Sequence, residues 1–311
     1  MKIWLFLRTT LMIALLTGLL MAMGYLLGGA RWMTYMFWFA VGMSFLSFWY
    51  SDRLVVKMMK ARIVSREEAP ELYDIVEKLG KKANLPMPKI AIIDDPTPNA
   101  FATGRNAKHA LVTVTTGILE LLDRDELEGV LGHELTHVRN HDILVGTIAG
   151  ALAGAVVYIA YVTKYLAFFK AIFGDLSLDR FIYAILIAIT APIAAVIIRS
   201  AISRRREFAA DEGGARLSGK PWALASALLK LDEAVKKLQK EAEVKKKKPL
   251  GNPGLAHLFI VNHFEGDRVS RLFATHPPTE QRIENLRRVA KDMGVEFRSG
   301  YPLFLELVNQ S

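Results

Sequence analysis

No cysteine is present among the 311 residues. That excludes disulfides, thiolate metal sites and a cysteine nucleophile, and leaves any metal to His, Asp or Glu. A glycine-rich nucleotide-binding fingerprint is also missing, as is any internal repeat. Acidic residues are the scarcer charge, 31 against 40 Lys and Arg, for a net charge of +9 and a pI near 9.6. The basic residues are not interleaved with aromatic platforms in one segment, so nucleic acid is not an expected partner. An anionic membrane surface suits the charge better. Histidine is sparse too, at seven residues, which makes a histidine pattern informative. What the chain has in quantity is apolar surface: 52% hydrophobic residues and a mean hydropathy of +0.23, values that imply solvation by lipid.

Residues 9–27 and 32–50 are two uncharged runs of 19 residues each, close to the length that crosses a hydrocarbon core roughly 30 Å thick. A turn at Gly28-Gly29-Ala30-Arg31 joins them. The first run is too long for a signal-peptide core, and no small-x-small cleavage site precedes the second. Two further apolar stretches, 143–169 and 181–198, are expected to form another hairpin, with small residues Gly146, Gly150 and Gly154 on the first. Lys2 and Arg8 before the first span, Arg53, Lys57, Lys60 and Arg62 after the second, and Arg199 and Arg204 to Arg206 after the fourth place these flanks on the cytoplasmic side. Both termini then face the cytoplasm. The divisions are a membrane hairpin at 1–51, a polar block at 52–142, a second hairpin at 143–199 and a helical polar block at 200–311.

Within the first block, 65–79 reads as an amphipathic helix opened by a Ser65/Glu68 capping box, with Leu72, Ile75, Val76 and Leu79 on one face. Pro86 and Pro88 interrupt the chain. Residues 89–93 and 110–114 are β-rich, with Asn99-Ala100-Phe101-Ala102-Thr103 between them, which predicts a small sheet of about three strands. A helix capped by Asp123 runs from 125 to about 140. The second block predicts helices over 203–217, 221–241 and 280–293, with a solvated loop at Lys245 to Lys248.

The chemistry gathers at His133-Glu134-Leu135-Thr136-His137. On a helix, residues four apart share a face, so His133 and His137 offer two imidazole nitrogens to one metal, with Glu134 beside the open position. A catalytic zinc needs a third protein ligand. His141 continues the spacing but lies eight residues from His133, about 12 Å along a helix, too far for bonds of about 2.0–2.1 Å. Glu207 is the alternative, with Asp211 four residues on and placed to hold a ligand histidine by its remaining ring N–H. Pairing of Glu207 and Asp211 with Arg204 to Arg206 at a surface fits the spacing as well, and from spacing alone both readings stand.

His133-Glu134-x-x-His137, then Glu207-x-x-x-Asp211 beyond a hydrophobic hairpin, with Asn99-Ala100-Phe101-Ala102 upstream and His276-Pro277-Pro278 downstream, resembles the HtpX heat-shock membrane proteases. These are relatives of the CAAX prenyl endopeptidases. The resemblance runs over essentially the whole chain. It implies a mainly α integral-membrane protein: four transmembrane helices plus a cytoplasmic gluzincin-like metalloprotease domain with a small β-sheet. It also implies Glu207 as third ligand of one Zn2+ per chain, Glu134 as general base, and misfolded or unfolded membrane proteins as substrates, cut at the cytoplasmic face of a prokaryotic inner membrane. His276 is a candidate donor to the transition state, and Asn99 and Ala100 are candidates for an exposed edge strand that pairs with substrate. His109, His257 and His263 lack a partner pattern and read as structural. A CAAX-type prenyl protease and a zinc-stabilised scaffold without hydrolytic activity are the competing readings. Nothing in the sequence signals an oligomeric state.

Overall fold

The apolar N-terminal segment folds as helix α1, Lys2–Met58, interrupted at Gly28 and Gly29, where φ of Gly29 is 72°, and again at Tyr50. In the computed structural model, which describes residues 2–143, 152, 155–156, 158–159, 204–244 and 276–297, the glycine pair reverses the chain. A Cβ on Gly24 would sit 2.6 Å from Met36 Cγ, although twelve residues of straight helix separate their backbones by about 18 Å. The two arms therefore lie side by side, as the runs 9–27 and 32–50 require. Residues Ile13–Leu46 are long and apolar enough to cross a membrane. Leu11, Leu15, Tyr35, Trp38, Phe39 and Phe45 are exposed along the arms, an arrangement water disfavours and lipid accepts. The expected third and fourth spans lie outside the described residues, apart from the helical positions Asp142, Ile143, Leu152, Ala155, Val156, Tyr158 and Ile159.

Four strands, β1 (Arg62–Ile63), β2 (Lys89–Ile93), β3 (Ala100–Thr103) and β4 (Leu111–Thr115), form one sheet in the order β1-β2-β4-β3. β2 and β4 are parallel, while β1 on β2 and β3 on β4 are antiparallel. Alternation sends Ile90, Val112, Val114, Ala100 and Ala102 into the main core, against Leu72, Ile75, Val76 and Leu79 of α2 (Pro70–Ala83). The other face, Ala91, Ile93, Phe101 and Leu111, is covered by Ala61 and by Val56 and Met59 near the end of α1. The sheet has one strand more than the sequence predicts. β1 is two exposed residues long, too short to show a period.

Helix α2 begins at Pro70, five residues later than expected. Glu68 does accept from Ser65 N–H at 2.8 Å, and Ala69 N–H bonds to Ser65 C=O. This closes a separate turn. Pro70 then opens the helix, since proline is compatible with the first helical position and not with its interior.

α3 (Thr116–Leu121) leads into α4 (Arg124–Arg139), which opens on a complete Asp123/Glu126 capping box. α5 (Arg204–Ser218) and α6 (Pro221–Val244) pack on α4, and α7 (Thr279–Met293) packs on α5 and α6. α4 and α5 cross at glycines. A Cβ on Gly132 would lie 3.0 Å from Gly214 O, and one on Gly214 would lie 2.5 Å from the His133 nitrogen. Two buried carboxylates fix the first half of α4. Glu126 receives Ser226 Oγ at 2.6 Å and Lys230 Nζ at 2.7 Å from α6, and Glu128 pairs with Lys78 of α2 at 2.6 Å and Lys220 at 3.1 Å.

Candidate active site

The second half of α4 turns His133 and His137 toward the first turn of α5, which carries Glu207. The two rings meet edge to face with centroids 4.7 Å apart. His133 Nε2 and His137 Nε2 are 3.1 Å apart, and Glu207 Oε2 and Oε1 lie 3.7 Å and 3.6 Å from them respectively. These three residues form a group able to hold a metal ion. A tetrahedral centre with bonds of about 2.0–2.1 Å separates its ligand atoms by about 3.3–3.4 Å, close to the spacing here.

Hydrogen bonding on the far side of each ring explains why the two Nε2 atoms converge. His133 Nδ1 is 2.9 Å from Asp211 Oδ1, and His137 Nδ1 is 3.2 Å from Asp142 Oδ2. Carboxylates at Nδ1 place a proton there and turn both Nε2 atoms into the group. A second proton on His137 bridges the two Nε2 atoms when no metal is bound; a shared metal cation displaces it. Glu207 Oε2 is fully buried, and His276 Nε2 lies 3.1 Å from it. The donor set therefore fits a divalent metal.

Asp211, four residues beyond Glu207, is itself fixed by Arg282 of α7, with Arg282 Nη2 at 2.6 Å from Oδ1 and Nε at 2.9 Å from Oδ2. Arg282 is 1% exposed and Asp211 is 0%. A bidentate fork of this kind sets the carboxylate plane, and through it the His133 ring. Sequence reasoning missed Arg282. Its signal was a charge on the apolar face of the helix predicted over 280–293, where Ile283, Leu286 and Val289 are buried. Asp142 was missed too. His141 is exposed and has φ 62°, so it turns the chain out of α4 and takes no part in the group.

Glu134 is 6% exposed, and its Oε2 accepts from Ala102 N–H of edge strand β3 at 2.9 Å. The strand is not exposed as expected, since Asn99 and Ala100 are both buried. Asn99 directs its main chain to β4, accepting from Thr115 N–H at 2.9 Å and donating to Thr115 Oγ1 at 2.9 Å. By alternation the main-chain groups of Ala100 and Ala102 face the opposite, outer edge.

Electrostatics sort the titrating groups. Burial pushes the Glu134 carboxyl above the ordinary carboxylate range, against the pull of His133 and His137. Burial acts on Glu207 in the same sense, but the neighbouring His276, His137 and His133 outweigh it and hold this carboxyl well below that range. Asp211 is likewise lowered, burial being overcome by Arg282 and His133. Burial disfavours the His137 cation, yet Glu207, Asp142 and Glu134 push it up to about 9.

Residues 66–290 match peptidase family M48. A protein of Thermococcus kodakarensis called Protease HtpX homolog is 54% identical over 304 residues, covering 96% of this chain and 100% of that one. Another of the same name, from Pyrococcus furiosus, is 50% identical over 299 residues, covering 96% and 100%. A third, from Pelotomaculum thermopropionicum, is 45% identical over 292 residues, covering 93% and 99%. Among solved structures, the crystal structure of S. mikatae Ste24p aligns with a TM-score of 0.49 at 16% identity, covering 88% of this chain and 62% of that one.

Proposed function

Because the chain belongs to peptidase family M48, as a membrane metalloprotease of the HtpX type, we propose that it is a zinc endopeptidase whose metal is held by His133, His137 and Glu207. The observation that carries this is the convergence of the three ligand atoms, with both Nδ1 positions engaged by carboxylates. The family is one of peptidases, so the scaffold reading falls away. Zinc, when bound, lowers the pKa of a coordinated water toward about 7 and polarises the scissile carbonyl.

The residues of the chain do the rest. Glu134 takes the proton of the attacking water and delivers it to the leaving amine. Ala102 N–H holds its Oε2, so Oε1 is left for the transfer. Asp211, locked by Arg282, and Asp142 orient the two rings. His276 Nε2 faces Glu207 Oε2 at 3.1 Å; with that carboxylate turned to a metal, its N–H would be released to the developing oxyanion. The substrates this reading assigns are unfolded or misfolded membrane proteins.

The topology that fits the basic flanks is four spans, with both termini and the site at the cytoplasmic face of a prokaryotic membrane. Glu134→Gln in the full chain, assayed on an unfolded casein-like substrate, is expected to lower kcat by about 10²–10⁴-fold while metal content stays at one equivalent. Full activity in that variant rules the mechanism out. Glu207→Ala is expected to lose the metal as well, and normal metal affinity in it would remove Glu207 from the ligand set.

A further inference from the structure

Asp142 reaches His137 because the chain leaves the helix between them. Five residues of continuous α-helix turn a side chain through about 500°, some 140° away from the residue it started from, so an unbroken α4 would aim Asp142 elsewhere. The helix instead closes at Asn140, whose N–H bonds to Thr136 C=O, and His141 follows with φ 62°. That left-handed conformation is costly for a residue with a Cβ. It returns Asp142 to the last turn of α4, with Oδ2 3.2 Å from His137 Nδ1. An uncommon backbone state beside a ligand group points to the side chain it places.

The other oxygen of the same carboxylate faces Arg206. Oδ1 lies 3.5 Å from Arg206 Nε, and the two side chains are 10% and 16% exposed, so water and salt screen this pair less than one on the surface. Arg206 immediately precedes Glu207, whereas Arg204 and Arg205 are exposed. One carboxylate therefore touches the ring of the second ligand and, through Arg206, the helix turn that carries the third. Sixty-three residues of sequence lie between Asp142 and Arg206. The arrangement repeats the one around the first ligand. Each histidine is backed by an aspartate and each aspartate by an arginine: Arg282, Asp211 and His133 on one side, Arg206, Asp142 and His137 on the other.

We propose that Asp142 and Arg206 are a clamp of positioning residues that keeps His137 and Glu207 in register as ligands. Neither is itself a ligand. The inference rests on the reading of His133, His137 and Glu207 as a metal site, and it adds what aligns the end of α4 with the start of α5. Two roles for Arg206 predict opposite signs. Acting by charge alone, the cation repels a divalent metal, and its removal tightens binding. Acting by position, its removal frees Asp142, lets the His137 ring turn, and weakens binding by about tenfold or more.

The test uses the full chain in detergent. Zinc affinity is measured by chelator competition, the ligand field by the visible spectrum of the cobalt(II)-loaded protein, and kcat and KM on casein at saturating zinc. Arg206→Met is expected to bind zinc about tenfold more weakly, to alter the cobalt bands, and to lose about tenfold in kcat with KM unchanged. Arg206→Lys is expected to return to within about threefold of wild type, because the contact is a single one and not a fork. Arg205→Met, which removes the same charge from an exposed neighbour, should bind zinc as wild type does. Asp142→Ala with Arg206→Met should lose no more affinity than Asp142→Ala alone. Unchanged or tighter zinc binding in Arg206→Met overturns the clamp. So do an equal loss in Arg205→Met, additive losses in the double variant, or no recovery with lysine. If Arg206→Met lacks the wild-type far-UV helix signal, Arg206→Gln replaces it under the same criteria. A wild-type chain that takes up no zinc overturns the metal reading itself, and the clamp with it.

Discussion

His133 uses both ring nitrogens, one toward the ligand group and one toward Asp211, and Arg282 fixes Asp211 in turn. Arg282→Met would bury Asp211 without its partner. Metal affinity is expected to fall by about 10–100-fold, measured by chelator competition, because loosening the groups behind a ligand weakens it without deleting it. His137 makes a pH prediction. Without metal its pKa is about 9, above the unfolded value near 6.5, so its protonated form stabilises the fold fully below about pH 6.5 and that contribution is lost as pH rises through about 9. Metal must displace this proton. Affinity should therefore rise about tenfold per pH unit from pH 7 toward 9 and then level off, as titrations at three pH values will show. His133, Glu134 and His137 were legible because one helix face carries the ligand spacing. Arg282 and Asp142 were not, because they meet the rings only through tertiary folding.

Elements bring those residues together, and their close approach depends on absent side chains. A Cβ on Gly214 would sit 2.5 Å from the His133 main-chain nitrogen, and one on Gly213 would press on the Thr136 side chain. Gly214→Ala is expected to cost about 2 kcal/mol by forcing α5 off α4, and to lower bound metal as Glu207 recedes. Thermal melts with metal analysis on the same sample check both. Helix ends with strong chemistry were readable: the Asp123 cap and the Pro221 start fall where the sequence places them. β1 was not readable, and the α2 start was misplaced because the Ser65/Glu68 pair closes a turn as well as it would cap a helix.

At the scale of the whole molecule, the metal group is not what holds the protease part together. The buried carboxylates of Glu126 and Glu128 bind α4 to α2 and α6 through partly exposed lysines at a distance from the ligands, and the sheet and helices share one apolar core. Removing the metal with a chelator should stop cleavage while leaving the far-UV helix signal unchanged, and adding back one equivalent of zinc should restore activity. Collapse of the helix signal on chelation would contradict this division. The membrane arms were legible as uncharged runs, and their reversal at Gly28-Gly29 as a glycine pair. Their docking on the sheet through Val56 and Met59 was hidden, since nothing in a local pattern names a distant partner.

The order in which the site's parts occur along the chain has a consequence for the cell that makes it. His133 and His137 leave the ribosome early, Glu207 follows seventy residues after His137, and Arg282 comes a further seventy-five residues on. At about 5–20 residues per second, roughly seven to thirty seconds separate the motif from the arginine that locks it. A nascent chain therefore carries half a catalytic centre past its own ribosome and insertion machinery, completes its ligand set only when Glu207 has emerged, and locks it only with Arg282.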